Sequence, residues 1–77
     1  MIIDRTTFMG LIKVTRKYWN AADTDYLDRK INLCYELEAQ TGVKWHIISD
    51  LSDAIARLNV PDDKVDQILN LFGFKVE

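Results

Sequence analysis

Apolar residues recur at helical spacing along four stretches of this chain. The longest unbroken one is residues 25–41, DYLDRKINLCYELEAQT, which contains neither Gly nor Pro. On a helical wheel Tyr26, Leu27, Ile31, Leu33, Cys34, Tyr35 and Leu37 cover an arc of ~180°, with Asp28, Asn32 and Glu36 on the opposite side. An arc that wide needs neighbours on more than one flank. The stretch therefore reads as the central helix of an all-α, compact four-helix small domain spanning residues 1–77.

Before it, Asp4 offers a carboxylate to cap a helix running from Arg5 to about Trp19. Phe8, Leu11, Ile12, Tyr18 and Trp19 form the apolar face of that helix. Arg5, Lys13, Arg16 and Lys17 gather on another sector, with Met9 among them. Residues 20–24 make the first connection, where Asp23, Thr24 or Asp25 is placed to cap the central helix. Gly42 ends that helix, because glycine adopts the left-handed conformation past a C-terminus without a Cβ clash. Residues 43–48, VKWHII, alternate like a strand, for which only 1–3 or 74–76 offer a partner. The competing reading takes Ile48, Leu51, Ile55 and Leu58 as one helical stripe, whose helix begins as early as Trp45 or, as the favoured expectation, runs from about Asp50 to Asn59 after a tight turn. Pro61 stops it and suits the first turn of a last helix over 62–72, which Gly73 ends. The expected core is Leu27, Ile31, Cys34, Leu37, Ile55, Leu58, Val65 and Ile68.

Composition narrows the class. The chain has 77 residues, 48% of them hydrophobic, enough for one core and against intrinsic disorder. A lone cysteine excludes an internal disulfide. No apolar run approaches the ~18 residues of a membrane span, and no signal-peptide pattern follows Met1. The expectation is a cytoplasmic protein with no membrane association. The net charge of −2 is unevenly spread. Residues 1–30 carry six Lys/Arg and four Asp, and residues 31–77 carry four Lys/Arg and eight Asp/Glu.

Candidate chemistry is sparse. Nucleophilic catalysis needs a Ser or Cys beside an oriented imidazole. Here Cys34 falls within the apolar arc, and the single histidine, His46, follows Trp45 in an apolar segment. Zinc wants about four Cys/His ligands and the chain holds two. Asp50 with Asp53, and Asp62 with Asp63 and Asp66, lack the glycine-centred loop of a calcium hand. No glycine loop cradles phosphate. The expectation is a non-enzyme with no cofactor and no metal.

Residues 51–69 have helix-turn-helix-like spacing, with Leu51, Ile55, Leu58, Val60, Val65 and Ile68 apolar and Asn59 suited to a left-handed turn. The second helix of that corner presents Asp62, Asp63 and Asp66 against one Lys64, which would repel phosphate. The corner therefore reads as architecture. Two charged surfaces remain as partner-binding candidates: basic Arg5, Lys13, Arg16 and Lys17, and acidic Asp50, Asp53, Asp62, Asp63 and Asp66. Asp53 and Asp66 lie away from the helix start, so reversing both to Lys is expected to alter binding and leave stability nearly unchanged. The leading reading is a small accessory, regulatory or inhibitory protein of the size that phages and mobile elements encode, binding another protein with a basic surface. A DNA-binding regulator docking its basic first helix, and a self-associating assembly subunit, are the alternatives.

Overall fold

The computed structural model describes residues 1–19 and 24–77. The chain runs β1 (Ile2–Ile3), α1 (Arg5–Lys17), α2 (Thr24–Thr41), α3 (Trp45–Arg57), α4 (Asp62–Leu71) and β2 (Lys75–Val76). The expected cap at Asp23 lies outside the described residues.

Four helix ends have an identifiable local cause. Asp4 caps α1, its Oδ2 accepting from the Thr7 backbone N–H at 2.9 Å and the Thr7 hydroxyl at 2.6 Å. Gly42 leaves α2 at φ 78°, and its N–H donates to the Glu38 carbonyl at 2.8 Å. Asn59 holds φ 52° after α3, and the Asn59 and Val60 N–H groups donate to the Ala56 and Ile55 carbonyls. That paired closure is a Schellman motif. Gly73 repeats it after α4, with Phe74 donating to Leu69.

The strand-like alternation over 43–48 does not make a strand. Helix α3 begins at Trp45, the earlier of the two starts the stripe allows and five residues before the favoured one. The Trp45 N–H, which a helix start would leave without a partner, donates to Glu38 Oε2 at 2.7 Å. The cap comes from α2, where local periodicity does not reveal it.

Helices α1, α2 and α3 pack against one another around Phe8, Leu11, Ile12, Cys34, Leu37, Ile48 and Ile55. Helix α4 adds Val65 and Leu69. The two chain ends run parallel, Ile2 opposite Lys75 and Ile3 opposite Val76. This clip buries Ile3 completely. Cys34, Leu37, Ile55 and Val65 are buried as expected, while Ile31 and Ile68 are half-buried. Leu27 and Leu58 are not core residues, at 50% and 73% exposed. Met9, grouped with the basic sector by sequence, is buried. On α2 the buried stripe is Tyr26, Lys30, Cys34, Leu37 and Thr41. Its turn-by-turn repeat leaves Leu27 one position off the inward face.

Candidate interaction surfaces

The basic sector of α1 and the acidic start of α4 face each other. Arg5 Nε donates to Asp66 Oδ1 at 3.1 Å and Oδ2 at 3.3 Å. Arg16 reaches Asp62 Oδ1 at 2.5 Å with one guanidinium nitrogen and the Val60 carbonyl with another. The Arg16 guanidinium beside Asp62 holds that carboxyl below its ordinary value of 3.8, with Lys13 and Arg5 adding to the field. Lys17 lies 5.1 Å from the Tyr18 ring centre, and so does Arg29.

Asp53 is not part of an open acidic surface. Its Oδ1 accepts from Lys30 Nζ at 2.5 Å, and the Lys30 residue is only 9% exposed. Asp53→Lys would set two ammonium groups together at a buried site, so that reversal is not neutral for stability. Of the acidic residues singled out from sequence, Asp50 and Asp63 have no ion-pair partner among the described residues. The structure thus brings Arg5, Arg16, Asp62 and Asp66 together and leaves Asp50 apart, on α3.

Burial of Cys34 pushes its thiol up to about 11, outweighing the nearby Lys30 charge. At neutral pH it is a protonated thiol beneath three helices, which is a poor nucleophile. The other internal polar groups satisfy each other: Thr15 Oγ1 donates to the Leu11 carbonyl and lies 2.7 Å from Ser52 Oγ. His46 is exposed and meets Trp45 edge-on at 5.9 Å. No group of three or more His, Cys, Asp or Glu side chains among the described residues is arranged to hold a metal. No helix among them is long and apolar enough to cross a membrane.

The surface that sequence reasoning missed is apolar. A groove of about 360 Å³ opens between α3 and the chain ends, its apolar lining including Met1, Ile47, Leu51, Phe72 and Phe74, with Asp50 also on its wall. Met1, Ile47 and Phe72 are each more than half exposed. Ile47, Leu51, Ala54 and Leu58 follow one another at i, i+4, i+7 and i+11, so they form one stripe along α3. The signal was in the sequence, but α3 carries two adjacent apolar arcs. Ile48, Ser52 and Ile55 face the core, and the second arc extends beyond it.

Comparison with known protein families, curated proteins and solved structures returned no match.

Proposed function

We infer that this protein acts by binding protein rather than by catalysis, and that it does so through the apolar face of α3 and the adjoining chain ends. The observation that carries the reading is the contrast between its surfaces. Arg5, Arg16, Asp62 and Asp66 neutralise one another across α1 and α4. The stripe on α3 instead exposes large apolar side chains beside a groove. Contiguous exposed apolar surface marks interaction sites, because covering it with a complementary apolar surface releases water. Internal pairing also makes the charged sectors weaker docking candidates. A basic partner must displace Arg16 from Asp62, and a nucleic acid must displace Asp62 and Asp66 from the two arginines. A regulatory, inhibitory or assembly role suits such a binding module.

The test uses a photoreactive side chain at Ile47 and, as a control, at Asp63, which is exposed on α4 and does not line the groove. Crosslinking from position 47 to a defined protein, absent from position 63, is the expected result. The captured protein is then purified and titrated with wild type and Ile47→Asp. Equal affinity for both would overturn the reading.

A further inference from the structure

We propose that the occupant of this face is a second copy of the same chain, docked with α3 antiparallel to α3 about a two-fold axis. The proposal rests on the reading of the α3 face as a docking surface and adds its partner and register. Three features of α3 support it.

The first is the stripe. At 100° per residue, Ile47, Leu51, Ala54 and Leu58 fall within ~60° of one another. The midpoint between Ile47 and Leu58 is also the midpoint between Leu51 and Ala54. An antiparallel pair centred there sets Ile47 level with Leu58 of the other copy, and Leu51 level with Ala54. A large side chain meets a small one at the middle, which lets the helices approach closely.

The second is charge. Asp50 and Arg57 stand seven residues apart, so they share one flank of α3 about 20° from each other. Both are exposed, and neither has an ion-pair partner among the described residues. Antiparallel two-fold pairing brings like flanks together, so Asp50 of each copy lies within two residues' rise, ~3 Å along the axis, of Arg57 of the other, a gap the long arginine side chain spans. Two ion pairs form across the axis. Parallel two-fold pairing would instead carry the like flanks to opposite sides of the seam and form neither pair. Opposite charges placed symmetrically about the stripe's centre are self-complementary, as an isologous interface requires.

The third is shape. Leu58 is 73% exposed at the C-terminal end of the stripe. The groove runs along α3 from Ile47 to Ala54, with Met1 and Phe72 also lining it. In the antiparallel register Leu58 of each copy enters the groove of the other, against Met1 and Phe72. The most exposed apolar side chain of the stripe and the part of the groove beside Ile47 thus fill each other twice.

Sedimentation equilibrium over micromolar to millimolar concentrations should show a species of twice the 9.0 kDa chain mass. Leu58→Lys should abolish it with unchanged helical circular dichroism, since Leu58 lies outside the core. Asp50→Arg and Arg57→Asp each replace two attractive pairs with two repulsive ones and should weaken the dimer about tenfold. Mixing the two single variants restores both pairs, so the mixture should form a heterodimer that neither forms alone. A wild type monomeric throughout the range overturns the proposal, as does a dimer indifferent to Leu58→Lys, or to both charge reversals. A monomeric wild type whose Ile47 still crosslinks to a different protein removes the second copy alone and leaves the docking face in place. The absence of every crosslink from Ile47 removes both.

Discussion

Lys30 is the residue whose environment departs furthest from its type. A lysine ammonium is rarely enclosed, because burial strips its hydration, and Asp53 compensates here through a 2.5 Å contact. Removing one partner leaves the other charge uncompensated, whereas replacing both by apolar groups of similar size is often tolerated. Asp53→Ala should therefore cost about 3 kcal/mol, near the lower end for such pairs because Asp53 keeps some solvent contact. Lys30→Met combined with Asp53→Leu should recover most of that loss, as urea titration would show. Leu37 and Leu58 make a second contrast. Both looked like core leucines from spacing, yet Leu37 is 0% exposed and Leu58 is 73% exposed. Leu37→Ala should cost ~2–5 kcal/mol through lost burial and a residual cavity. Leu58→Ala should stay within ~0.5 kcal/mol when measured at concentrations too low for association.

At the scale of the elements, two carboxylates join pieces of the fold in a pH-dependent way. Thr7 lowers the Asp4 carboxyl by hydrogen bonding at the start of α1, and Arg16 lowers the Asp62 carboxyl where α4 meets α1. Both ionise more readily folded than unfolded. Their contribution is thus fully present above the ordinary value of 3.8 and is lost as pH falls through their lowered folded values. The melting temperature should accordingly decline as pH drops below about 4. Asp4→Asn with Asp62→Asn should lower stability at neutral pH and flatten that acid limb. An acid limb of unchanged steepness in the double variant would assign the decline to other groups. Much at this scale was legible in the chain itself. The cap at Asp4, the terminators Gly42 and Gly73, the left-handed Asn59 and the stop before Pro61 act within a few residues of where they stand.

In the whole molecule, the chain ends do what no single helix does. Lys75 donates its backbone N–H to the Met1 carbonyl, Glu77 donates to Ile3, and Arg5 donates to Glu77. These bonds close the floor of the core over Ile3 and tether Met1, which lines the apolar groove. Deleting residues 75–77 removes all three, at about 1 kcal/mol each, so a loss on the order of 3 kcal/mol is expected in thermal unfolding. The same deletion should blunt the groove and weaken whatever binds there. The ion pairs between α1 and α4 belong to this scale too. They join residues 61 and 46 positions apart in the sequence.

Local order in this protein was written in its sequence. Helical class, the sites where helices stop, and the burial of Cys34, Leu37, Ile55 and Val65 follow from periodicity and backbone preference, which operate over one or two turns. Tertiary structure decided which of two apolar arcs on α3 faced inward, and that Glu38 would start α3 at Trp45. It also paired acidic and basic sectors that looked like two separate surfaces. The physical reason is the same in each case. An apolar arc or a charge on a helix specifies only that it needs a neighbour, and which neighbour arrives depends on how the helices are stacked.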